Sequence, residues 1–195
     1  MNKKVDELIP PSNAVNAFVD EHRFYILGVF NDELKKEIII PFTRRIFEYS
    51  KLREPAIDFY INSPGGDGML VMHLIQLFEQ AKAKGIIVRT IVPAFAYSAG
   101  SMLAVAGSNG ERYISHVAEH LIHYGSISDS IKSTPLQVDR EAAHEKRWFN
   151  AVLNHYKKYS KVPKLDERIK DNNFFIPADK CIKWGLADKY MEDIK

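Results

Sequence analysis

The sequence predicts an α/β fold in which a largely parallel sheet is covered by helices, and three observations carry that expectation. Runs rich in β-branched and aromatic residues alternate with helical segments along the whole chain. Glycines such as Gly85 and Gly107 stand where helical patterns stop. The connections between runs are short, which suits parallel strands joined by crossover helices, and in such sheets sites form beyond the carboxyl ends of strands. With 195 residues the chain is expected to form one domain, 1–195, with its own core.

Taken in order, residues 24–29 form a β-rich run, and Asn31-Asp32 after it can cap a helix over 33–49. Pro41 lies inside that helix, so either the helix kinks there or it starts at Pro41, where a first-turn proline is tolerated. Ala56–Ile61 reads as a buried strand, 67–84 as a helix closed by Gly85, and 86–92 as a strand. A short apolar helix follows over 98–106, then strands near 113–114 and 120–122. Pro135–Tyr159 is a long amphipathic helix in which Leu136, Ala143, Trp148, Val152 and Tyr156 recur at helical spacing. It either projects towards another subunit or folds back on its own domain.

Composition narrows the function classes. Hydrophobic residues are 46% and charged residues 27%, as in ordinary globular proteins. The net charge of +2 is spread along the chain, with no basic stripe for a nucleic acid. One cysteine, Cys181, allows neither an internal disulfide nor a cysteine-rich metal site and fits a reducing compartment. No apolar run resembles a signal core or a membrane span. The expectation is a cytoplasmic protein without a membrane or nucleic-acid partner.

Two glycine-marked turns and one strand end carry the chemistry. Asn62-Ser63-Pro64-Gly65-Gly66-Asp67-Gly68 follows a strand and opens a helix, so its backbone N–H groups sit at a positive helix end and suit an anion. The Lys-Ser/Thr of a phosphate loop is missing, which leaves a developing oxyanion as the better match. A plain turn has the same sequence character. Tyr97-Ser98-Ala99-Gly100-Ser101 is a second strand-to-helix junction, where Ser98 is either a nucleophile among small neighbours or an ordinary N-cap, the commoner role. Ser101 is a second hydroxyl close by. His123 ends an apolar strand, a setting for a base and equally for a structural histidine. The other histidines, His22, His73, His116, His120, His144 and His155, read as surface or packing residues.

As a set, these segments resemble a known family. Tyr60-Ile61-Asn62-Ser63-Pro64-Gly65-Gly66, Tyr97-Ser98-Ala99-Gly100-Ser101-Met102, Leu121-Ile122-His123 and Trp184-Gly185-Leu186-Ala187-Asp188 are similar to the successive signatures of the ClpP (caseinolytic protease) serine peptidases, family S14, in order and with similar gaps. The resemblance runs from about residue 24 to 188. It implies a ClpP/crotonase-like fold of stacked ββα units with a projecting long helix at about 135–159, which in the family interlocks two heptameric rings. It implies Ser98 as nucleophile, His123 as base, and the N–H groups of Gly66 and Ala99 as oxyanion donors. It further implies a heptameric or tetradecameric homo-oligomer with its sites inside. Unfolded polypeptides would be delivered by an AAA+ unfoldase of the ClpX/ClpA type. ATP would be used only by that partner, and the subunit itself would need no cofactor. Tyr60 is either part of a partner-docking pocket or a core residue.

The chain departs from the family at informative places. Counted back from Trp184-Gly185, the triad aspartate falls on Asn173, with Asp171 two residues earlier as an alternative third member. Tyr124-Gly125 stands in place of Gln-Pro after the histidine, and Phe174 in place of an arginine of the ring-to-ring contact. Such divergence is expected of a phage-encoded or otherwise atypical member. Two readings compete with an active endopeptidase. One is a catalytically weak or inactive structural subunit of a mixed or regulatory ring. The other is an acyl-CoA enzyme of the related crotonase group, against which the Ser98 and His123 pairing argues.

Overall fold

Strands β3 (Ala56–Ile61) and β4 (Ile87–Val92) pair in parallel at the centre of the main sheet; Ile57, Phe59, Ile61, Val88 and Val92 bury one face in the core, and on the other face Asp58 pairs with Arg89 at 3.2 Å. In this computed structural model the described residues are 17–20, 22–51, 55–124, 135–170 and 173–194. The main sheet has the order β1-β2-β3-β4-β6-β9, where β1 is Ala17–Asp20, β2 Arg23–Ile26, β6 Arg112–Ile114 and β9 Lys189–Tyr190. Only β1 runs antiparallel; β2, β3, β4, β6 and β9 are parallel to one another. A second sheet of three strands, β5 (Phe95–Tyr97), β7 (Glu119–Ile122) and β8 (Phe174–Pro177), has β7 in its middle. The bridge between Ser63 and Ala96 ties the two sheets together at the end of β3. The chain thus has the mixed α/β architecture that the alternation predicted.

The helices are α1 (Ile40–Tyr49), α2 (Gly68–Ala83), α3 (Ala99–Val105), α4 (Pro135–Tyr159), α5 (Leu165–Ile169) and α6 (Ala178–Trp184). Pro41 stands at the start of the α-helix, as the second of the two readings has it, one residue inside its first position. It occupies the first turn of α1, and the residues before it, Lys35–Ile39, wind as a π-helix in which Ile40 N–H reaches back to Lys35 C=O. Asn31 caps this entry, accepting from Glu33 N–H at 3.1 Å. Strand β2 ends at Ile26, earlier than the β-rich run over 24–29 suggests, and beyond it Gly28 C=O accepts from Ser63 Oγ at 2.6 Å. Phe24, Phe42, Phe59 and Phe78 stack between β2, α1, β3 and α2 and form the middle of the core. Tyr60 lies half-buried at the sheet surface and stacks on Tyr25 at 4.9 Å.

The long helix folds back on its own domain through its carboxyl half. Val152, Leu153, His155 and Tyr156 of α4 are buried, and His155 donates its Nε2–H to the Met102 carbonyl of α3 at 2.7 Å. From Asp139 to His144 every residue is exposed. The apolar stripe therefore anchors the carboxyl half on the body while the amino half extends beyond it. Among the described residues no helix is long and apolar enough to cross a membrane.

Candidate active site

The first wall of the site is the turn after β3. Ser63 is completely buried, donates to Gly28 and accepts from Gly65 N–H at 3.1 Å, while its backbone pairs with Phe95 and Tyr97 of β5. Gly65 and Gly66 have φ of +104° and +133°, which favours glycine, and space forbids anything larger. A Cβ on Gly65 would sit 2.7 Å from the Ser98 Cβ, and one on Gly66 would sit 2.5 Å from the Phe30 carbonyl oxygen. Asp67 then caps α2, with Oδ1 accepting from Met69 and Leu70 N–H at 2.7 and 3.2 Å.

Ser98 lies where β5 meets α3, and here the structure decides between cap and nucleophile. Its side chain makes no capping hydrogen bond to α3. Instead Oγ lies 2.6 Å from His123 Nε2. The backbone of Ser98 has φ +52° and ψ −118°, a conformation that costs about 1–3 kcal/mol for a residue with a Cβ. Its N–H donates to Leu121 C=O at 2.8 Å, which fixes the strained turn to β7. Tyr97, the residue before, is bonded through its phenol to Glu119 at the other end of β7, and that bond together with burial pushes the phenol up to about 12.

His123 follows β7 directly and is half-buried. Burial holds its imidazole below the ordinary value of 6.5, so it is neutral, and able to accept a proton, near neutral pH. Ser98 and His123 open on a cavity of ≈ 240 Å³ whose wall includes Gly66, Ala99, Met102 and Trp148. Neither Gly66 N–H nor Ala99 N–H donates to a described backbone carbonyl. Ala99 is at the first turn of α3, where N–H groups have no partner within the helix.

The third member expected from the sequence is placed differently from the other two. Ile122 pairs with Phe174 in the antiparallel β7 and β8, so continuing that register by one residue sets Asn173 across from His123. Asn173 is nevertheless exposed, and no hydrogen bond joins it to His123. Asp171 lies outside the described residues.

The sequence matches the Clp protease family profile over residues 12–193. The chain belongs to the Clp protease family. Among curated relatives, it is 26% identical over 187 residues to the ATP-dependent Clp protease proteolytic subunit 1 of Protochlamydia amoebophila, covering 92% of this chain and 85% of that protein. It is also 26% identical over 144 residues to the ATP-dependent Clp protease proteolytic subunit of Deinococcus radiodurans, covering 73% of this chain and 68% of that one. The ClpP-like α/β fold expected of a divergent member is the fold observed.

Sequence reasoning passed over several residues that the fold brings to the site. Met69, His144, Trp148, Val152 and Tyr156 also line the cavity, four of them from α4. The signal for these was the stripe along the long helix, which includes Trp148, Val152 and Tyr156. His120, read with the other histidines as a surface or packing residue, is buried and bonds to Ser101 at 2.9 Å.

Proposed function

We propose that the chain is a serine endopeptidase subunit in which Ser98 is the nucleophile and His123 the general base. The observation that carries this reading is the 2.6 Å contact of Ser98 Oγ with His123 Nε2, made by a serine held in a strained turn that forgoes capping its own helix. His123 takes the Ser98 proton as Oγ attacks the peptide carbonyl carbon. The N–H groups of Gly66 and Ala99 face the oxyanion that forms. His123 then gives its proton to the leaving amine as the C–N bond breaks, leaving an ester on Ser98. Water, deprotonated by His123, hydrolyses the ester and restores the serine. No cofactor enters these steps.

Met69, Met102, Trp148 and Val152 give the cavity an apolar wall suited to an uncharged side chain next to the scissile bond. Family membership and the names of the two relatives support the wider reading. In it the subunit forms a heptameric or double-heptameric chamber in the cytoplasm. An AAA+ unfoldase of the ClpX/ClpA type spends ATP to feed it unfolded polypeptides. The exposed stretch Asp139–His144 of α4 is the segment on this chain suited to meet a second ring.

A second reading, an inactive or weak structural subunit, is favoured by Asn173, which is exposed and makes no bond to His123. In a serine triad an asparagine in place of the aspartate lowers turnover by roughly 10⁴. Hydrolysis of short fluorogenic peptides with apolar residues before the reporter separates the two, since such peptides need no unfoldase. Turnover by the assembled protein that Ser98→Ala abolishes supports the peptidase. Assembly with no turnover above that of Ser98→Ala supports the structural subunit.

A further inference from the structure

Beneath the Ser98 and His123 pair lies a second serine and histidine pair that joins the same two elements. Ser101 is one turn further along α3 than Ser98, and His120 is three residues before His123 on β7. Ser101 Oγ and His120 Nδ1 are 2.9 Å apart, and the two residues are 0% and 1% exposed. Between the pairs, Ser98 N–H donates to Leu121 C=O. Three polar cross-links therefore run from the start of α3 to the end of β7.

Packing alone does not account for the inner pair. Polar side chains withdrawn from water are costly unless fully satisfied. His120 Nε2 has no hydrogen-bond partner among the described residues. Apolar side chains of similar size would fill the same space without that penalty. They would lack direction, because a hydrogen bond fixes the distance and angle between α3 and β7, and dispersion contacts do so only loosely. Direction is what His123 needs, since among the described residues no side chain other than Ser98 is bonded to its ring.

We propose that Ser101 and His120 are positioning residues, a buried pair that sets α3 against β7 and so keeps His123 Nε2 on Ser98 Oγ. The inference rests on the reading of Ser98 and His123 as nucleophile and base. Burial, helped by the charge of Arg112, lowers the His120 pKa to about 3, so the pair keeps one charge state wherever His123 is neutral. The other titratable groups that face the cavity with His123 are Asp67 before α2, Tyr124 beyond β7, and His144 and Tyr156 on α4. All four are left in place by the substitutions below.

The test compares Ser101→Ala, His120→Leu and His120→Asn with the wild type in the assembled full chain. Asparagine is included because its amide can take the place of Nδ1 and keep the bond to Ser101. Two quantities are read: the titration of His123, by NMR of carbon-labelled histidine rings, and the rate of fluorophosphonate attachment to Ser98. Ser101→Ala and His120→Leu are expected to slow attachment by about tenfold or more, as small displacements of reacting groups do. They should also move the His123 midpoint up towards 6.5 as water reaches the loosened ring. His120→Asn should restore most of both. Unchanged attachment and an unchanged midpoint in Ser101→Ala, which deletes a single oxygen and keeps the test available if His120→Leu does not fold, would overturn the proposal. A midpoint that moves in the variants while no chain, wild type included, takes up the fluorophosphonate would uphold the pair's role and count against the peptidase reading.

Discussion

The two serine and histidine pairs use the same residue types, bridge the same helix and strand, and differ in what surrounds them. The outer pair, Ser98 and His123, opens on a cavity lined also by Gly66 and Ala99, and its serine sits in a left-handed turn. The inner pair, Ser101 and His120, is sealed from water and lies on regular helix and strand. Residue identity therefore does not assign the chemistry. Access and backbone conformation set the pairs apart, and the contrast can be broken or sharpened by changing each pair in turn.

The largest effect is expected from Ser98→Ala, which removes the nucleophile and should lower peptide turnover by roughly 10⁶, to background in a steady-state assay. Ser101→Ala, read in the same assay, should lose only about tenfold. Next in size is Gly65→Ala. Its new Cβ would meet the Ser98 Cβ at 2.7 Å and the Tyr97 carbonyl at 2.9 Å, in a backbone with φ +104°. A loss of about 10² in turnover and about 2 kcal/mol in stability is expected, checked by peptide hydrolysis and chemical denaturation.

The pairs should also separate by pH. His123 must be neutral to act, and its folded pKa lies below 6.5, so the rate should be flat above that value. Below the folded pKa it should fall by about tenfold per pH unit, which a rate profile would reveal. His120 and His155 work in the opposite ledger, that of stability. Burial lowers them to about 3 and about 4, so the unfolded chain takes up their protons first. Stability is full above 6.5 and is lost as pH falls towards 4. The loss linked to His155 is on the order of 3 kcal/mol, and His155→Gln should flatten the pH dependence of the denaturation midpoint. The smallest effect is expected from Asn173→Asp: the side chain there is exposed and not bonded to His123, so a carboxylate should speed turnover only several-fold in the peptide assay, far short of the roughly 10⁴ of a bonded triad aspartate.

Much of this contrast was legible in the sequence, and the parts that were not have physical reasons. Strand and helix alternation predicted the parallel core, because β-branched runs such as Ile87–Val92 cannot hide their periodicity. The order of the motifs around Gly66, Ser98 and His123 predicted the outer pair, since each lies at a strand end. Whether Ser98 caps α3 was not legible, because the same serine satisfies either role and only the direction of Oγ separates them. The inner pair escaped because burial is a tertiary property. Its one sequence trace is a mirrored spacing, with Ser101 three residues after Ser98 and His120 three before His123. Asn173 was located by counting, and the β7 and β8 register agrees, but its exposed side chain was not foreseeable from spacing.

The central claim is that the outer serine alone is an activated nucleophile. Intact-mass measurement after treatment with a fluorophosphonate, on the wild type, Ser98→Ala and Ser101→Ala, tests it most directly. The account predicts one adduct per wild-type subunit, none on Ser98→Ala, and one on Ser101→Ala formed more slowly. An assembled wild type that takes up no adduct, or an adduct that persists in Ser98→Ala, would contradict it.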